Sequence, residues 1–240
     1  MNFIGLAAGK GSRMGQLGRY LQKSMYPVLD KPFLQYTLDA LCQSSVYRRE
    51  RDRIILVVGH YKDQIIEYFG TNYRGNRIDY VVQDKALGTG HAVWLAHQKS
   101  DASEPTIVWH GDNFVSTELF EAIVSNPYSN CITVTNYQSK RDLKERVDLG
   151  EERVLRVWRG TGPCIETGPW KFSSSVVEKM ASATEDEYRA LLNLQKMMDK
   201  GLEVGYIRNP NWIHLGGTEP TVPENIFACV QAMYQQEFCK

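Results

Sequence analysis

The chain switches repeatedly between two hydrophobic periods. Short runs dense in β-branched and apolar residues, "NFIGLA", "RIILVVG", "RIDYVVQ" and "TIVWHGD", read as strands. Segments with helical spacing separate them. Leu34, Leu38 and Leu41 share one face of a helix that opens at Pro32 and runs to about Ser44, "YKDQIIEYFG" is a helix closed by Gly70, and "TGHAVWLAHQ" is a further one. Beyond Thr117 the alternation loosens. A helix "TELFEAIVS" and a strand "CITVTNY" are followed by strands around 153–158 and 164–172, helices over 174–181 and 185–199, a strand "EVGYIRN", and a closing helix from about Pro223. Strands alternating with helices predict an α/β fold, a Rossmann-like and mainly parallel sheet with helices on both faces. No linker or internal repeat divides the chain, so 1–240 is expected to be a single domain.

In open sheets of this kind, ligands bind beyond the carboxyl ends of the strands. The unusual loops all stand there: "AAGKGSRMG" after the first strand, "DKALGTG" after the third, "HGD" after the fourth. The first carries small Ala7 and Ala8, closely spaced glycines, and cations at Lys10, Arg13, Arg19 and Lys23. Small residues let backbone N–H groups approach phosphate oxygens, and Arg13 offers a planar fork where Lys23 offers a mobile point charge. Two familiar phosphate loops fail on spacing. Gly11, not Ser or Thr, follows Gly9-Lys10, which rules out a P-loop; Met14 occupies the third glycine position of a dinucleotide fingerprint. Asp112 ends the fourth strand where a hard cation would find a carboxylate, although an Asp capping the next turn explains it equally well.

Composition removes other partners. The 28 basic and 28 acidic residues cancel, giving no electrostatic case for nucleic acid or an anionic membrane, and 42% hydrophobic with 23% charged residues is ordinary for a soluble protein. The five cysteines form no C-x-x-C pair, which points to reduced thiols rather than a zinc site or a disulfide framework. The apolar run from Phe3 to Ala8 is too short for a signal or a span, so a cytoplasmic location is expected.

"LAAGKGSRM", "KSMYPVLDKP", "QDKALGTGHAV" and "HGD", in this order, resemble the nucleotidyltransferases that make nucleotide sugars, most of all the uridylyltransferase half of bacterial GlcNAc-1-phosphate uridylyltransferases. The resemblance is strong over about the first 115 residues and thins afterwards to "ETGPWKF". It implies the nucleotide-diphospho-sugar transferase fold, with 1–115 as the nucleotide-binding half and 116–240 as the acceptor-binding half. It further implies that Leu6, Ala7, Ala8 and Gly9, with Gly11 and Ser12, cradle the nucleotide. Arg13 would hold the β- and γ-phosphates and Lys23 the α-phosphate and the acceptor phosphate. Gln83 and Gly88 would read the base edge, with Thr89 beside them. Asp112 would bind Mg2+, and Thr167 and Gly168 would face the acceptor.

The chain departs from the family pattern at three places. His214 in "NWIHLGGTEP" replaces a late Asp or Asn metal ligand, and imidazole suits magnesium poorly, which places His214 near the ion through water or on a phosphate. "RVLRVWRGTGPC" stands where the family has an acceptor-side Glu-x-Lys, making Arg156 and Trp158 candidate acceptor contacts, with Arg159 on the opposite strand face. No hexapeptide repeats follow, so no fused acyltransferase half is expected. The expected activity is transfer of NMP from an NTP, UTP or CTP, to a small phosphorylated acceptor, by default a sugar 1-phosphate. The alternatives are a CTP-dependent cytidylyltransferase for a non-sugar phosphate or phosphonate, and a regulatory nucleotide-binding domain without catalysis.

Overall fold

A computed structural model describes residues 1–136, 144–160, 162–180, 189–216 and 222–238. Its strands are β1 (Asn2–Ala7), β2 (Pro27–Val28), β3 (Lys31–Pro32), β4 (Arg53–Val58), β5 (Asn72–Tyr73), β6 (Asn76–Val82), β7 (Thr106–His110), β8 (Asn113–Phe114), β9 (Cys131–Asn136), β10 (Lys144–Leu149), β11 (Val154–Gly160), β12 (Cys164–Phe172), β13 (Gly205–Arg208) and β14 (Ile213–His214). The helices are α1 (Phe33–Gln43), α2 (Lys62–Phe69), α3 (Thr89–His97), α4 (Thr117–Ser125), α5 (Ser174–Met180), α6 (Ala190–Met198) and α7 (Val222–Phe238).

The main sheet runs β11-β10-β12-β7-β1-β4-β6-β5, with β9 beside β12 and β13 beside β9. Strands β7, β1, β4 and β6 are mutually parallel, as their continuous apolar runs require. Alternate side chains leave the sheet in opposite directions. Ile4, Ile55, Val57 and Val108 pack under α3, α5 and α6, whereas Phe3, Ile54, Leu56, Ile107 and Trp109 pack under α1, α2 and α4. A smaller core joins α1, α7 and the β8–β14 pair through Phe33, Tyr36, Ile213, Leu215 and Met233. Strand order reverses at β1, whose neighbours are β4 and β7, so the loops leaving β1 and β7 face each other across a crevice.

The second half of the chain is built differently. Strand β12 runs antiparallel to both β7 and β9, and the β10–β11 hairpin extends from it. Strand β10 went unrecognised in the sequence because "KERVDL" is mostly charged; its Arg146 is nevertheless 1% exposed and donates from Nε to Gly160 O at 2.8 Å. Two helix starts also shift. Pro32 is the extended cap before α1 and not its first residue, and α6 begins at Ala190 after an extended Arg189, while residues 185–188 lie outside those described. Gly70 closes α2 at φ 60° as the pattern predicts. Cys42, Cys131, Cys164 and Cys229 are free thiols; Cys239 lies outside the described residues. No helix among the described residues is long and apolar enough to cross a membrane.

Gly5 lets β1 and β7 close on one another. A Cβ there would stand 2.6 Å from the Trp109 ring and 2.7 Å from Leu56 Cδ2, well inside contact distance. Gly5→Ala is therefore expected to cost about 1–3 kcal/mol by overpacking, more than the roughly 0.4–1 kcal/mol that a stiffer unfolded chain returns. Urea unfolding reads the difference, and a variant as stable as the parent would mean that Trp109 has room to move.

Candidate active site

Three loops meet above the carboxyl ends of the parallel strands. The first leaves β1 at Ala7, turns through 3-10 segments at Ser12–Met14, Leu17–Arg19 and Lys23–Met25, and returns along β2. Met14, the residue that breaks the dinucleotide pattern, is 4% exposed and fills the loop's interior, its N–H donating to Gly11 O at 2.8 Å. The loop is thus wound around a side chain and not flattened over a helix N-terminus. Leu6 and Ala7 belong to β1; Ala8, Gly9, Gly11 and Ser12 follow it, with Gly9 and Ser12 exposed. The backbone of Arg13 sits in the first 3-10 turn, and its side chain lies outside the described residues.

The second loop follows β7. Gly111 N–H donates to Leu6 O at 2.9 Å, continuing the β1–β7 ladder one step beyond the strand and delivering Asp112 to the crevice. There the Lys23 ammonium lies directly on Asp112 Oδ2. Burial pushes the Asp112 carboxyl up, but Lys23, His110 and His214 outweigh it and hold the group below the usual carboxylate range. The carboxylate is therefore ionised at neutral pH. Asp112 O accepts from Leu215 N–H at 2.7 Å, which fastens the β8–β14 pair beneath the same point. A Cβ on Gly216 would stand 3.1 Å from Lys23 Nζ and 3.6 Å from His214 Nε2, so His214 borders the ion pair, its ring stacked on Trp212 at 4.1 Å.

His110, the first residue of "HGD", is packed edge-on against Trp170 at 5.0 Å. Burial pushes its imidazole pKa down although Asp112 and Glu145 pull it up. The third loop follows β6. Gln83 is 8% exposed, and its Nε2 donates to Gly88 O at 3.1 Å and lies 3.1 Å from His91 Nδ1, so it braces the loop it was expected to read from. Thr89 opens α3, and its hydroxyl accepts from Ala190 N–H at 3.1 Å, tying the loop to α6.

Across the crevice stand Thr167 and Gly168. Gly168 has φ 105°, a conformation that favours glycine, and a Cβ on it would collide with the Asn113 amide. That amide donates to Thr167 O, and Thr167 Oγ1 donates to Thr133 Oγ1 at 2.7 Å. Glu166 accepts from Gly168 N–H and from Trp170 Nε1, holding the bulge in shape. Thr167 and Gly168 are thereby brought next to Asn113 and hence to Asp112. Arg156 and Trp158 lie on β11 opposite Asp148 and Arg146, with the Arg156 guanidinium 5.7 Å from the Trp158 ring centre; Arg159, opposite Glu145, is on the other face. Glu145 pairs with Arg189 at 3.0 Å on that face. His110 and Glu166 lie inside the motifs "HGD" and "ETGPWKF" and Asn113 directly follows Asp112, yet nothing in their spacing distinguishes a supporting side chain from a filler.

Among the described residues no three His, Cys, Asp or Glu surround a common point. A cation bound at Asp112 would therefore draw most of its ligands from phosphate and water, as magnesium commonly does.

Comparison with known proteins bears on the family and the fold. The family model for nucleotidyl transferases matches residues 3–146. A bifunctional protein GlmU of Methanococcus maripaludis strain C5 is 28% identical over 226 residues, covering 90% of this chain but 51% of that protein, so the chain spans about half the length of such relatives. Among solved structures, a putative glucose-1-phosphate thymidylyltransferase from Bacillus anthracis superposes with a TM-score of 0.78 at 18% identity, covering 96% of this chain and 95% of that one. The inositol-1-phosphate CTP transferase from T. maritima gives 0.74 at 20% identity, covering 96% of each chain. At those identities the structures speak for the fold alone, and the family rests on the model match: the chain belongs to the nucleotidyl transferase family.

Proposed function

We propose that this chain transfers a nucleoside monophosphate from an NTP to a small phosphorylated acceptor and releases pyrophosphate. The observation that carries this reading is the meeting of Lys23 with an ionised Asp112 at the mouth of the β1 and β7 loops. In the reaction an acceptor phosphate oxygen attacks the α-phosphorus; the new P–O bond forms as the bond to the β-phosphate oxygen breaks. Nothing covalent is asked of the protein, so its share is orientation and charge. Backbone N–H groups from Ala8 to Ser12 receive the triphosphate, and Arg13 takes the charge that grows on the departing pyrophosphate. Lys23 leaves Asp112 and moves to the α-phosphate and the acceptor phosphate. Asp112 is a hard oxygen donor of the kind Mg2+ prefers, and that ion would neutralise phosphate charge there. His214, which borders the ion pair, would meet such an ion through water or contact a phosphate.

A sugar 1-phosphate is the default acceptor, in keeping with the glucose-1-phosphate in the name of the Bacillus anthracis structure. A second reading, a CTP-dependent enzyme for a non-sugar phosphate, is favoured by Arg156 of β11. Arginine only donates hydrogen bonds and matches carboxylate or phosphate, whereas sugar hydroxyls also want acceptors. A regulatory domain without catalysis would have little reason to keep Lys23 and Asp112 in contact.

Removing Arg13 or Lys23 (Arg13→Ala, Lys23→Ala) is expected to lower kcat by about 10²-fold or more, read as pyrophosphate release. Unchanged turnover would take that residue out of the mechanism. Asp112→Asn should fold normally yet lose turnover and respond more weakly to magnesium; a magnesium titration identical to the parent's would put the ion elsewhere. For the acceptor, kcat/KM compared across GlcNAc-1-phosphate, acid-bearing sugar phosphates and non-sugar phosphates should favour an acceptor that either carries an anionic group beyond the phosphate or is not a neutral hexose. Clear preference for the neutral sugar phosphate would return the enzyme to ordinary nucleotide-sugar synthesis.

A further inference from the structure

Gln22 is 1% exposed, and both ends of its amide are engaged on backbone. Nε2 donates to Ala7 O at 2.7 Å, at the very end of β1, and Oε1 accepts from the N–H of Ser24. Its own N–H donates to Gln64 Oε1 at 2.8 Å, and Gln64 Nε2 donates to Tyr20 O at 2.8 Å. A further bond from Tyr61 Oη to Arg19 O fastens the same stretch to the start of α2. One buried amide therefore ties the beginning of the phosphate loop to the residues on either side of Lys23.

We propose that Gln22 is a positioning residue for the transfer reaction: by clamping Ala7 to Ser24 it fixes the backbone from which Lys23 reaches Asp112 and the phosphates. This rests on the transfer reading above. A lysine has a flexible stem and no fixed fork, so its aim is set by the backbone that carries it. Displacing a catalytic cation by about 1 Å can cost on the order of 10²-fold in rate. A residue that merely filled buried space would affect stability and leave the balance between kcat and KM alone.

The test uses three variants of the full chain. Gln22→Met keeps the volume and loses both amide bonds; kcat should fall by about 10- to 100-fold with KM for the NTP little changed. Gln22→Glu separates positioning from packing. Its neutral acid can donate O–H to Ala7 O and accept from Ser24 N–H, whereas its carboxylate would face a carbonyl oxygen. Burial raises the pKa of such a carboxyl, so the ratio of variant to parent kcat should climb as pH falls from about 8 to about 6. Gln64→Leu removes the acceptor of the Gln22 N–H together with the donor to Tyr20 O, leaves the Gln22 amide on Ala7 and Ser24, and should lower kcat by a few fold in a protein that keeps its fold. Deuterium exchange at the Ser24 amide, measured without substrate, should accelerate in Gln22→Met. That measurement is independent of turnover: a parent inactive with every NTP and acceptor defeats the transfer reading, while the exchange rate still decides whether the clamp exists. Parent-like kcat in Gln22→Met, a Gln22→Glu profile parallel to the parent's, or an unfolded Gln22→Met beside a fully active Gln64→Leu would overturn the proposal.

Discussion

The contact between Lys23 and Asp112 is the point on which the architecture converges. An ion pair drawn partly out of water is a poor source of stability, because desolvation offsets much of the attraction. Its place at the ends of two neighbouring parallel strands needs another reason. Several elements exist in their present form to make it: Gly111 extends the β1–β7 ladder so that Asp112 clears the strand, Leu215 anchors the back of Asp112, and Gly216 leaves space for the lysine. A charge pair supported in this way is the observation on which the proposed transfer reaction rests.

The two halves of the sheet do different work around it. The parallel strands bury apolar side chains on both faces and provide a rigid base from which three loops emerge. The antiparallel half adds β12, whose bulge at Thr167 and Gly168 is locked by Glu166 and Asn113 and closes the crevice from the far side. Rigid strands with function confined to their connecting loops follow the usual division of labour in open α/β sheets. Arg156 and Trp158 stand on the β10–β11 hairpin beyond that bulge, with the Trp158 ring packed over Gly160 and Gly162.

The strands and loops of the first half were legible because continuous β-branched runs followed by glycine leave few alternatives. Asp112 and Lys23 were legible as well, through motif order. Strand β10 was not, since its charged sequence conceals a buried Arg146 that is satisfied by a carbonyl across the hairpin. Gln22 was equally invisible: a glutamine in a loop carries no periodicity, and only the fold reveals that its amide spans Ala7 and Ser24. The structure also gave Gln83 and Thr89 bracing roles that spacing could not suggest, because hydrogen bonds to Gly88 and Ala190 depend on how loops pack after the strands are laid down. Sequence pattern reports where a side chain stands along an element, whereas partners across the chain are a property of packing.

If Lys23 and Asp112 form the transfer site at rest, nucleotide must part them. A crystal structure with a non-hydrolysable NTP and magnesium is the most direct measurement. The account predicts that the triphosphate lies along Ala8 to Ser12, that Lys23 Nζ has left Asp112 for an α-phosphate oxygen, and that an Asp112 oxygen coordinates the ion. A nucleotide bound elsewhere, with the Lys23–Asp112 contact intact, would contradict it.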